Sequence, residues 1–211
     1  MTKPNYTHLT LVVDRSGSME SIRQEAQTGL NTLVAEQFAE DGELTVTVVE
    51  FDTTIDTVAR MTDSPLTYEL IPRGMTALLD AVGSEIVRTG QNLAELSDEH
   101  RPEKVLFVVV TDGHENSSHE YELEAVRNII NQQRDQYGWA FQFLGADDAA
   151  WQGRDMGMDF AAFEASSKGQ RLAYASLNTE MKEVRRLKKQ RFEIPEVITD
   201  EDAANDSGNG A

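Results

Sequence analysis

The amino-acid sequence predicts an α/β fold: a doubly wound, mostly parallel β-sheet with helices on both faces. Three observations carry this. Short apolar runs rich in β-branched residues, at residues 9–13, 44–51 and 106–111, are of the kind that lies buried on both faces in a parallel sheet. These runs alternate with longer stretches whose apolar residues recur near helical spacing, the order expected of strand–helix–strand crossovers. Two of the runs also end abruptly in an acid, Asp14 and Asp112. In such sheets ligands bind outside the carboxyl ends of the strands, where the strand order reverses.

Taken in order, residues 7–13 form the first strand and a turn at 16–19 leads into a helix over 19–40, with Ile22, Ala26, Leu30, Leu33, Val34 and Phe38 on its apolar stripe. Gly42 is placed to cap that helix. Residues 44–51 and 54–61 pair as a hairpin around Asp52 and Thr53. Pro65 and Pro72 mark 62–75 as a loop. A helix over 76–89, a polar connection and a strand over 104–111 follow. Ser117 or Ser118 is expected to cap a helix running to Tyr137, where Gly138 stops it. The strand 139–146, a short helix and the strand 159–165 complete six strands. Residues 1–190 thus read as one domain that includes a C-terminal helix over about 166–190. Residues 191–211 are read as an acidic, disordered tail, too polar to bury a core.

The chain has 211 residues, a formal net charge of −18 and a sequence pI near 4.5. One domain of this length buries a substantial core. The negative field repels nucleic acid and anionic membrane surfaces and attracts cations. With no cysteine, disulfide and thiolate chemistry are ruled out. The first residues hold no apolar segment, and no apolar run reaches ~18 residues, so the expectation is a cytoplasmic protein that does not enter a membrane.

An apolar strand that delivers a carboxylate and two hydroxyls, Asp14, Ser16 and Ser18, into a tight turn assembles oxygen ligands suited to a hard cation. Alone, the triplet would serve equally as a capped turn, because Asp and Ser oxygens accept from free backbone N–H groups. Two further segments answer it: Thr76 after Gly74 at a helix start, and Asp112 in a T-D-G turn at the end of a later strand. This set, D-x-S-x-S, a Thr after a Gly and T-D-G, resembles the von Willebrand factor A domain and its metal-ion-dependent adhesion site, over roughly residues 6–165. All the motif's positions, Asp14, Ser16, Ser18, Thr76 and Asp112, are present in family order. The resemblance implies a Rossmann-like, six-stranded sheet with one antiparallel edge strand. It also implies a bound Mg²⁺, or Mn²⁺ or Ca²⁺, with Ser16, Ser18 and Thr76 as direct ligands and Asp14 and Asp112 acting mainly through water. One coordination position is then left for the Asp or Glu carboxylate of a protein partner.

Arg15, Met19, Met75, His114 and Glu115 are placed on the partner-binding rim of this site. Arg15 either neutralises nearby acids or reaches a partner's carboxylate. The family often has Gly-Gly-Thr where this chain has Gly74-Met75-Thr76, and Met75 either offers apolar contact to a partner or packs inward. His114 and His119 lack the Cys or H-E-x-x-H company of a zinc site. Trp139 and Trp151 are read as packing residues. The basic run 182–191 suits the C-terminal end of a helix better than a nucleic-acid surface.

No G-x-S-x-G elbow and no phosphate-binding loop is present. A phosphotransferase with Asp14 as nucleophile resembles the dehalogenase-like enzymes, which carry a second Asp two residues on, where this chain has Ser16. The function expected is therefore a non-enzymatic, metal-dependent protein-interaction module, and the family's contexts point to an AAA+ ATPase or a stress or host–virus assembly as partner. The alternatives are a metal-dependent hydrolase or phosphatase on the same scaffold, and an assembly component that does not use the metal.

Overall fold

A computed structural model describes residues 2–164, 166–189 and 191–198. Its centre is β1 (Lys3–Asp14), which pairs in parallel with β2 (Glu43–Phe51) on one side and β4 (Pro102–Thr111) on the other. β3 (Ile55–Thr62) closes one edge antiparallel to β2, and β5 (Ala140–Ala146) and β6 (Asp159–Phe163) extend the other in parallel. The sheet order is β3-β2-β1-β4-β5-β6, six strands with one antiparallel edge, as the sequence leads one to expect. The chain winds outward from β1 in both directions, so the order reverses between β1 and β4. That is where a crevice opens in a doubly wound sheet.

The alternation of side chains along β1 builds two cores. Leu9, Leu11 and Val13 face α1 (Arg23–Ala39) and α5 (Ser167–Leu187), while Val12 joins Phe107, Val109 and Phe141 beneath α2 (Leu78–Glu95) and α3 (Leu123–Tyr137). α4 (Trp151–Met156) is short and ends at Gly157, whose φ of 86° is left-handed. Gly138 ends α3 in the same way.

Several boundaries differ from the sequence reading. The helix expected from residue 19 begins as a 3₁₀ helix (Gly17–Ile22) before α1. α2 starts at Leu78 and runs to Glu95. Neither Ser117 nor Ser118 caps α3, which starts at Leu123; residues 113–122 stay a loop because the distant Asp80 and the loop's own Glu115 occupy its backbone N–H groups. Asp80 accepts from His119, Glu120 and Tyr121, and Glu115 accepts from Ser117 and Ser118.

Residues 191–198 do not hang free. Phe192 and Ile198 are buried in the α1/α5 core, and this segment runs beside β6, with Ala162 N donating to Glu196 O and Ile198 N donating to Ala162 O. The rest of the expected tail, 199–211, lies outside the described residues.

Candidate metal centre

The register of β1 and β4 sets the site. Val13 pairs with Val110, so Asp14 and the residues after Thr111 leave the sheet side by side. Asp14 is fully buried. One of its carboxylate oxygens accepts from Ser16 N at 2.6 Å and the other from the Thr111 hydroxyl. Ser16 and Ser18 hydroxyls lie 3.0 Å apart, and Ser18 Oγ donates to Asp112 Oδ1 at 2.6 Å. Thr76 enters from the loop before α2, where Asn116 Oδ1 accepts from its N–H at 2.9 Å and Asn116 N donates to its carbonyl.

Gly113 reports how closely these oxygens converge. A Cβ placed there would stand 2.9 Å from Thr76 Oγ1, 3.0 Å from Asp14 Oδ2 and 3.3 Å from Ser16 Oγ. Oxygens from two separate segments thus surround a cradle that even a methyl group would fill. Among the described residues no group hydrogen-bonds the Thr76 hydroxyl. No three His, Cys, Asp or Glu side chains cluster as metal ligands among them either. The donor set is hydroxyls with two carboxylates, all hard oxygens, which suits Mg²⁺, Mn²⁺ or Ca²⁺ and not zinc. His114 and His119 accordingly form no such cluster.

Electrostatics point the same way. Burial pushes the Asp14 carboxyl up to about 6, against the hydrogen bonds from Thr111 and Ser16, and the Asp112 charge adds to the rise. Burial raises Asp112 as well, with Asp148 adding repulsion against the Ser18 hydrogen bond. Among the described residues no cation pairs with either of these two acids.

Contacts outside the crevice hold its loops. Arg15 is buried and turns away from the crevice, pairing with Glu50, Asp52 and Asp56. Arg73 joins Asp52 at 2.7 Å, and its N–H donates to the Arg15 carbonyl. Ala77 N donates to Asp52 O and Gly17 N to Gly74 O, so the β2–β3 turn ties the 14–18 loop to the Thr76 loop. Gly74 takes a φ of 71°, and an added Cβ would press on Thr53 and Asp52. On the other side Gln152 in α4 donates to Gly113 O at 2.9 Å and accepts from Glu115 N at 2.7 Å.

The rim differs from the sequence expectation. Met19 is fully buried in the α1 core, because the 3₁₀ helix turns it inward. Arg15 neutralises its neighbouring acids and does not reach the surface. The Glu115 carboxylate is taken up by Leu79 N, Ser117 N and Ser118, so it organises the loop. Met75 is 53% exposed, and the His114 side chain is 49% exposed with Nε2 3.4 Å from Asp148. Sequence reasoning places Asn116 beside His114 and Glu115 after the T-D-G turn, but it missed Thr111 and Gln152, each of which contacts a site residue or Gly113. Only Thr111 carried a local signal, as the first residue of the T-D-G turn.

No protein-family model and no curated protein sequence matches the chain. Solved structures do. A von Willebrand factor type A protein from Catenulispora acidiphila superposes with a TM-score of 0.58 at 12% identity, covering 86% of this chain and 43% of that one. The proximal thread matrix protein 1 of the mussel byssus gives 0.57 at 14%, covering 87% and 46%. The conserved protein BatB from Bacteroides thetaiotaomicron gives 0.56 at 14%, covering 85% and 99%. The chain spans less than half of the first two and nearly all of the third. At these identities the likeness concerns the fold, and the chain has a von Willebrand factor A-type fold.

Proposed function

We propose that this chain is a protein-interaction module that engages an acidic side chain of its partner through a divalent cation. The observation that supports this best is the convergence of Asp14, Ser16 and Thr76 oxygens around side-chain-free Gly113, beside the Ser18–Asp112 pair. Ser16, Ser18 and Thr76 would hold Mg²⁺, Mn²⁺ or Ca²⁺ directly, with Asp14 and Asp112 acting mainly through water. The cation supplies positive charge and an exchangeable coordination position. Because the direct protein ligands are neutral hydroxyls, that charge stays available to an incoming Asp or Glu carboxylate. The protein's own contribution is rigidity: Thr111 and Ser16 N hold Asp14, Asn116 holds Thr76, and the Arg15 cluster locks both loops.

An AAA+ ATPase is the partner class that the resemblance favours. No helix among the described residues is long and apolar enough to cross a membrane.

The test is capture. The immobilised chain is incubated with lysate of its own cells in Mg²⁺ or in EDTA, beside the Asp14→Ala variant. The proposal expects a protein retained in Mg²⁺, released by EDTA and absent from the variant. Retention that is equal in EDTA overturns it in favour of an assembly role without metal. Mg²⁺-dependent hydrolysis of generic phosphate esters, abolished by Asp14→Ala, overturns it in favour of an enzyme.

A further inference from the structure

An apolar pocket of about 350 Å³ opens directly beside the metal centre. Leu79, Leu123, Trp151 and Met156 form its walls, and His114 and Glu115 form the side it shares with the site. Trp151 is 44% exposed although its indole N–H is satisfied by Asp148 O at 2.8 Å, and the His114 ring meets it edge-on at 6.2 Å. The indole is therefore held in place with an apolar face open to solvent. Exposed, fixed aromatic surface of this kind is a feature of binding sites.

The pocket is continuous with the crevice through two chain segments. Leu79 lies three residues beyond Thr76, and His114 directly follows Gly113. Consecutive Cα atoms are ~3.8 Å apart, so the pocket mouth and the oxygen cradle are within the reach of a few residues of extended peptide. The rim carries exposed acid in a chain of net charge −18: the Asp148 carboxylate is 78% exposed and Asp155, which meets Arg154 at 3.8 Å, 37%, with Asp112 in the crevice between the two loops.

We propose that the partner segment recognised here carries three features within a few residues. These are an Asp or Glu for the cation, a large apolar side chain for the Leu79–Leu123–Trp151 pocket, and Lys or Arg flanks that match the acidic rim. The inference deepens the metal-dependent reading and rests on it for the carboxylate alone. Charge complementarity selects a basic segment with one embedded acid over a generally acidic one. The pocket adds the specificity that a carboxylate cannot supply by itself.

A library of random dodecapeptides displayed on phage is selected on the full chain in Mg²⁺ and eluted first with EDTA and then with acid, and both pools are sequenced. The expected result is a consensus with one acid, a Leu, Met, Phe or Trp within about three positions of it, and basic flanks. In a synthetic consensus peptide, changing the apolar residue to Ala should weaken binding about ten-fold or more, the scale of one buried large side chain. That penalty should shrink in Trp151→Ala, and in Leu123→Ala if the first variant melts early, while EDTA sensitivity is retained. A consensus with the acid but no apolar position overturns the pocket and leaves the metal reading standing. An apolar consensus that binds equally in EDTA and without the acid overturns the metal reading and leaves the pocket. A library from which nothing is retained overturns both.

Discussion

Asp14 and Arg15 leave the end of the same strand in opposite directions, and the two buried polar clusters they enter balance charge differently. Arg15 passes into a cluster that is complete in itself: its guanidinium meets Glu50, Asp52 and Asp56, and Arg73 adds a second cation to Asp52. Burial alone would raise the Asp52 carboxyl, but hydrogen bonds from Arg73, Thr54 and Arg15 overcome it and hold Asp52 down at about 2. Asp14, one residue away, has hydroxyl and backbone partners and, among the described residues, no cation, and burial drives it up to about 6. The same fold thus holds one set of carboxylates paired with cations of the chain itself and one set that, in the proposed function, a divalent cation would neutralise.

The largest expected effect breaks the Arg15 cluster. Arg15→Met should destabilise the chain by about 3–5 kcal/mol, because it leaves the buried Asp52 and the half-buried Glu50 without their shared cation. Urea unfolding checks this, and a loss under about 1 kcal/mol would mean that Arg73 alone suffices.

Asp14→Asn should do the reverse. The folded chain raises the Asp14 carboxyl above its ordinary value of 3.8, so the folded state binds the proton more tightly than the unfolded state. The resulting stability is present below pH 3.8 and is lost as pH rises through about 6. At pH 8 without metal, Asp14→Asn should therefore be more stable than wild type by up to about 3 kcal/mol. The gain should develop between pH 4 and 6 and stay level above. A variant less stable at every pH would show that the carboxylate is already compensated.

Asp52 has the opposite sign. Its carboxyl is lowered, so its contribution is present above pH 3.8 and is lost as pH falls through about 2. Asp52→Asn should lose about 2 kcal/mol at pH 7 and converge on wild type in strong acid. Parallel urea titrations of the two variants sharpen the contrast, since their differences from wild type should have opposite signs at neutral pH.

Gly113→Ala should have the smallest effect on the fold, about 1–2 kcal/mol, since its Cβ asks three oxygens to shift by tenths of an ångström. It should nevertheless abolish the response to cations. Retained cation binding in this variant would place the ion elsewhere.

How much of this the sequence shows follows from how local each cause is. The buried strands are legible because Leu9 to Val13 and Leu106 to Val110 are continuous apolar runs. The acids that end them mark the crevice. That β1 and β4 are neighbours is implied by the resemblance and by no local signal. The loop 113–122 is misread as a helix start because Asp80, some 40 residues earlier, takes three of its N–H groups. Met19 is misplaced because a 3₁₀ helix turns its side chain into the core, where helical spacing from residue 19 does not predict it. In α5, Asn178 and Arg185 bond Gln37 across the α1 interface, a polar seam that apolar periodicity does not show.

The claim that the Asp14 recess is completed by a cation is tested most directly by thermal melting. The EDTA-treated chain is titrated with Mg²⁺, Mn²⁺ and Ca²⁺ at pH 8, beside Asp14→Asn. A ligand that binds only the folded state raises the melting temperature by mass action. The account predicts a rise in wild type with at least one of these ions and none in the variant, which begins from the higher metal-free melting temperature. A wild-type chain that melts unchanged in all three ions, or a variant that rises equally, would contradict it.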